Sequence, residues 1–141
     1  MSFRLSKDDL DFRSRMEACE LPLSEFDHRA HLRLAYIYLS GNDSEQALAL
    51  MRASLHRFLN HNNIDPSKYH ETITKAWILA THHFMKKTKK CLSANEFIDS
   101  NPEMLDPTIM MTHYSAEVLF SQNARETFVQ PDLTPIPRYG D

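Results

Sequence analysis

Glycine is nearly missing from this chain: Gly41 and Gly140 are the only two in 141 residues. The loops that cradle phosphate in P-loop and dinucleotide-binding proteins need glycine at fixed spacing, so nucleotide enzymes of those types are excluded. The same shortage disfavours a sheet rich in tight hairpins, and no stretch alternates apolar and polar residues between Asn-Gly or Asp-Gly turns. Cysteine is equally scarce. Cys19 and Cys91 belong to no C-x-x-C spacing and read as small packing residues with reduced thiols, although spacing alone does not decide whether they ever pair.

Long apolar runs are lacking too. No segment is apolar enough to span a bilayer, and the start, Met1 to Asp9, has no apolar region of a secretory signal, so the expectation is a cytoplasmic protein without membrane contact. Nor is one sign of charge dominant. With a net charge of −3 and Lys/Arg scattered among Asp/Glu, there is no footprint for a phosphate backbone, which argues against nucleic acid as a partner. The densest basic stretch, Lys86-Lys87-Thr88-Lys89-Lys90, falls where a helix should end and complements its dipole there.

What is present is enough for one domain over 1–141, because 42% hydrophobic residues in a chain of this length can bury a single core. The pattern predicts an all-α, compact bundle of about five to seven helices. A first helix covers about Lys7 to Glu20 and stops before Pro22. A second follows Ser24 and ends at Ser40-Gly41-Asn42, a left-handed stop. A third begins at a cap, Asp43 or Ser44, with Ala47, Leu48, Met51, Leu55, Phe58 and Leu59 on one stripe. A fourth opens at Pro66 and runs through Trp77 and Phe84 to the lysines. Ser93 with Glu96 marks a short fifth, Asp106-Pro107 another start, and Ser115 and Ser121 cap two more short helices. Pro131, Pro135 and Pro137 predict an extended C-terminal tail over 130–141 that packs on the bundle with Leu133 and Ile136 tucked down.

Eight histidines are present, and three stand out. At 100° per residue His28 and His31 share an arc with Ala35, Tyr38 and Leu39, while Arg29 and Arg33 point the other way. In the fourth helix His70 shares an arc with Ile73, Thr74, Trp77, Thr81 and Phe84, while Glu71, Lys75 and His82 point outward. A buried imidazole needs a partner, and two at i and i+3 with a third from a facing helix form the open three-ligand arrangement of a catalytic metal site. His113 is the fourth candidate ligand. Thr74, Trp77, Tyr38 and Tyr114 are expected to line the pocket, and Asp27, Glu71 and Glu117 are the carboxylates placed to orient an imidazole or join it as a ligand. Each histidine equally fits a satisfied core residue bonded to a tyrosine, a threonine or a carbonyl. His56, His61, His82 and His83 fall on polar faces or loops.

Phe26-Asp27-His28-Arg29-Ala30-His31-Leu32, Lys68-Tyr69-His70-Glu71-Thr72-Ile73-Thr74, Ser121-Gln122-Asn123-Ala124-Arg125 and the closing Pro131-Asp132-Leu133-Thr134-Pro135-Ile136-Pro137 resemble a family of small, uncharacterised, all-α bacterial proteins. The shared motifs are F-x-H-x-x-H-L, K-Y-H-x-T-x-T and a proline-rich end. The family carries no assigned activity. The resemblance groups His28, His31, His70, Thr74 and His113 as a set, and it implies a structural or anion-binding role for Arg125.

Three functions fit these residues. The first is a buried site for a divalent transition metal (Zn, Fe or Mn) held by His28, His31 and His70 with His113 nearby, where a metal-bound water would serve hydrolysis or an iron would bind oxygen. The second is a metal-free pocket for a small organic acid, held by His28 or His31 with Arg125 near the mouth. The third is a helical interaction module with an internal histidine network. The sequence names no reaction, and it leaves open whether the protein is a homo-oligomer.

Overall fold

The computed structural model describes residues 3–137 of the chain. Among them are seven α-helices and four 3-10 turns, with no strand. No helix among the described residues is long and apolar enough to cross a membrane.

Helix α1 spans Lys7–Glu17 and starts in a reciprocal capping box, Ser6 Oγ accepting from Asp9 N–H and Asp9 Oδ2 accepting from Ser6 N–H, each at 3.0 Å. It stops earlier than the sequence pattern predicts, at an Ala18 cap followed by Cys19 in the left-handed region (φ 59°). Cys19 is therefore a half-buried turn residue with its thiol against the Arg57 carbonyl, whereas Cys91 is buried as expected; both thiols are free.

Helix α2, His28–Leu39, is capped by Asp27, whose Oδ1 accepts from Ala30 N–H at 2.9 Å. Its second half is buried on every face, from Leu34 to Leu39, because α1, α3, α4 and α5 all pack on it. It is the axis of the bundle. The turn that ends it is not left-handed at Gly41, whose φ is not positive. The Asn42 side chain instead donates to the Tyr38 carbonyl at 2.9 Å and closes the helix end. Helix α3, Ser44–His61, then returns antiparallel behind an Asp43 cap.

Helix α4 spans Glu71–Lys87, and its start departs from expectation. Pro66 opens only a 3-10 turn, Pro66–Lys68, after which Tyr69 is extended and His70 becomes the N-cap. Helix α5, Ala94–Ser100, is capped by Ser93 and ends at Asn101 as predicted. Two 3-10 turns, Pro102–Leu105 and Pro107–Thr112, lead to the short helices α6 (Ala116–Leu119) and α7 (Gln122–Glu126), capped by Ser115 and Ser121.

Beyond α7 the chain runs back along its own loops: Leu133 N–H donates to the His113 carbonyl at 2.9 Å, and Ile136 is buried. Leu133, expected to be tucked down, is 53% exposed. Residues 138–141 of the expected tail lie outside the described residues.

Candidate functional site

Where the first turn of α2 faces α4, a cavity of about 310 Å³ opens under the chain that leads into and out of α6. His28 and His31 contribute one wall and Ile73 and Trp77 the second. Pro107, Thr108, Met110, Met111, Leu119 and Phe120 form the third.

Each imidazole is placed by a different device. His28 is the first residue of α2, and its Nε2 lies 2.9 Å from the Met104 carbonyl; a carbonyl only accepts, so Nε2 carries the hydrogen. The ring stands edge-on to Trp77, centroids 4.8 Å apart and planes at 67°. One turn on, His31 is half-buried with its ring edge toward Phe26, and neither ring nitrogen has a hydrogen-bond partner among the described residues. Burial, with His28 close by, pushes its pKa from 6.5 down to about 4, so the ring is neutral at physiological pH and offers one donor and one acceptor.

His70 and His113 do not join them. The His70 Nε2 donates to the Leu119 carbonyl at 2.7 Å, and its Nδ1 accepts the Ile73 N–H at 3.1 Å as the cap of α4. Both nitrogens are committed, and a metal could take neither without breaking one of these bonds. Burial holds this ring below its ordinary pKa, and Arg125 acts in the same direction. His113 donates from Nδ1 to the Thr134 carbonyl at 2.7 Å, which fastens the C-terminal segment. Among the described residues, no three His, Cys, Asp or Glu side chains come together as a metal-ligand set. The helical arcs predict that His28, His31 and His70 converge, with His113 nearby; of these only His28 and His31 share the cavity.

Of the residues expected to line the pocket, Trp77 does so. Tyr38 faces the other side of α2, where its hydroxyl donates to Glu17 and bonds Ser54. Tyr114 is fully buried and donates to the Val129 carbonyl, and Thr74 donates to the His70 carbonyl at 2.8 Å. Among the carboxylates, Asp27 caps α2 and Glu71 is clamped by Arg52 through two bonds of 3.0 and 2.6 Å. Burial tends to raise the Glu71 carboxyl, but the bonds from Arg52 and Tyr69 outweigh it and hold the group below the usual range.

Arg125 lies away from this cavity. It borders a separate hollow of about 590 Å³ with Arg52, His56 and Tyr69, and its Nη1 reaches the Ser67 carbonyl at 3.4 Å. A further hollow of about 400 Å³, between α1 and α2, is lined by charged groups of which Arg29 pairs with Asp99 and Arg33 with Asp9. Both depressions are lined largely by charged and polar side chains, several of them already paired, as Arg52 is with Glu71. The α2/α4 cavity differs: its polar groups are few and face an otherwise apolar space, the usual makeup of a small-molecule site.

The wall from Pro107 to Phe120 was not legible as a site, since it has no helical or strand period; Phe120, which reads as core, is 57% exposed at the cavity. The only local signal was the Asp106-Pro107 turn start. No protein-family model matches this chain, and comparison with curated proteins and with solved structures finds no match to either.

Proposed function

We propose that this protein binds a small organic molecule in the cavity between α2 and α4, with His28 and His31 reading the polar part of the ligand and Trp77, Ile73 and the 107–120 wall holding its apolar body. One observation carries the reading: His31 keeps both ring nitrogens without a hydrogen-bond partner among the described residues, in a cavity walled mostly by apolar side chains. The ring is only half-buried, so its nitrogens are reachable from the cavity mouth, and a ligand that bonds them takes the place of water. The volume falls at the lower end of small-molecule sites, roughly 300–1,000 Å³.

The acid version of this reading loses Arg125 from the mouth of the pocket, because that guanidinium borders the other hollow. A divalent transition metal is the competing occupant, since His28 and His31 are two imidazoles on one cavity. Two protein ligands would have to be completed by solvent or substrate, or by His70 after giving up Leu119 and Ile73.

The test is a fragment titration watched in imidazole and indole NMR signals, run beside zinc, iron(II) and manganese(II) titrations of the same protein. Small ring compounds should shift the Trp77 indole N–H and His31 signals together. Thr108→Trp, at an exposed position on the wall, should abolish those shifts without lowering the melting temperature. Stoichiometric metal uptake with no fragment binding would reverse the order of the two readings.

A further inference from the structure

The hydrogen-bonding groups that face the cavity are unequal in number, and the imbalance defines what can enter. His28 has committed its Nε2–H to the Met104 carbonyl, so in the neutral ring only the Nδ1 lone pair is left. Thr108 donates its hydroxyl hydrogen to Asp106 Oδ1 at 2.6 Å, so its oxygen too can only accept. His31 supplies one acceptor and the single uncommitted donor. Three acceptors therefore face one donor. Among the described residues no Lys or Arg lines the space, and the Asp106 carboxylate, next to Pro107 on the wall, adds negative charge beside it.

Resting on the small-molecule reading above, we infer that the cavity selects a neutral, ring-shaped compound that donates a hydrogen bond, phenols being the simplest class, over ethers of the same shape and over carboxylates. A phenolic O–H meets one of the lone pairs the protein leaves unmatched. An ether brings a further acceptor to a site already short of donors, and a carboxylate brings two along with a charge that burial in an apolar pocket penalises. The edge-on pair of His28 and Trp77 offers ring faces at 67° to one another, which suits a flat guest packed edge-to-face against either. Burial of His31 supports the choice, because a ring that stays neutral down to about pH 4 gives an anion no counter-charge.

The experiment titrates the full-length protein with phenol, anisole, toluene and benzoate at about pH 8, above the ordinary histidine value, following the His31 imidazole signals by NMR. Phenol is expected to bind roughly three- to tenfold more tightly than anisole or toluene, the worth of one hydrogen bond, with benzoate weakest. In His31→Phe the preference for phenol over anisole should persist, because His28 Nδ1 and the Thr108 hydroxyl oxygen remain as acceptors with no donor beside them, and equal binding in that variant would overturn the acceptor count. If the phenylalanine variant does not fold, the wild-type ranking decides by itself. Anisole equal to phenol, or benzoate tighter than either, overturns the donor selectivity while leaving a ligand pocket in place. Failure of all four compounds to bind overturns the pocket reading and the selectivity with it.

Discussion

The carbonyl of Leu119 lies 2.7 Å from Nε2 of His70, a residue 49 positions earlier in the chain, while the other nitrogen of the same ring accepts the Ile73 N–H at 3.1 Å. One neutral imidazole thus starts α4 and ties down the end of α6. At the opposite end of the same stretch His28 holds the Met104 carbonyl, so two histidines fix both ends of the segment that walls the cavity. His70→Ala should cost about 2–4 kcal/mol, combining a lost cap with an orphaned buried carbonyl. Asparagine can cap a helix but is too short to span to Leu119, so His70→Asn should recover roughly 1 kcal/mol of that loss. Urea unfolding of the two variants checks this, and equal losses would mean that the ring does not cap α4.

Acid should destabilise the protein through His31 before its carboxylates titrate. In the unfolded chain this imidazole takes its proton near 6.5, and in the folded protein not until about 4. Between those values the unfolded state holds the extra proton, so stability is complete above 6.5 and falls as pH falls through the window. The full shift corresponds to about 3 kcal/mol, and because the ring is only half-buried solvent screening trims the expected loss to roughly 2 kcal/mol. His70, also held low by burial, acts in the same sense. Asp65, Asp106 and Asp132, which hydrogen bonds hold below the usual carboxylate range, withdraw their contributions only at lower pH. Between about pH 7 and about pH 4.5 the urea midpoint of the wild type should fall relative to that of His31→Phe, which lacks the titrating ring. Parallel curves would show that His31 titrates normally.

Asp9 should be the most sensitive acidic position. Its carboxylate is fully buried and accepts from Ser6 N–H, from Ala94 N–H at the start of α5, and from Arg33 Nε at 3.1 Å. Helices α1, α2 and α5 are thereby held at a single side chain. Asp9→Ala removes all three bonds and is expected to cost about 3–4 kcal/mol. Arg33→Met leaves Asp9 bonded to two backbone N–H groups, and the aliphatic chain still packs on the Phe12 ring, so its cost should be about 1–2 kcal/mol. Thermal unfolding of the pair checks the ordering.

The helix starts at Asp43, Ser93, Ser115 and Ser121 were legible because a cap is a local device: one short side chain accepting from a backbone N–H two or three residues on. The start of α4 was not. Proline marks a start without fixing how far the turn continues: Pro66, Pro102 and Pro107 each open a 3-10 turn here, and α4 begins only where Arg52 holds Glu71 and Leu119 holds His70. That shift of a few residues turned His70 from a helical side chain aimed inward into a cap with both nitrogens committed. On α2 the arcs gave direction correctly for His28 and His31, but a central helix has neighbours on every side. Tyr38, ten residues on, meets Glu17 and Ser54 instead of the cavity. Helical periodicity shows which residues face inward; which inward residues meet one another depends on packing between elements that share no local signal.

Thr81 provides the cleanest test of the core. Its side chain is fully buried on α4, and Oγ1 has no hydrogen-bond partner among the described residues, a deficit unique to it among buried side-chain polar atoms there. Valine has nearly the same shape with a methyl in place of the hydroxyl, so Thr81→Val removes the desolvation penalty without opening a cavity. Stability should rise by about 1 kcal/mol, read as a higher urea midpoint with an unchanged slope. A loss of similar size would mean that the hydroxyl is satisfied by an ordered water inside the bundle, and the same variant should then show faster amide exchange around Trp77 and Ile78 as that water's bonds disappear.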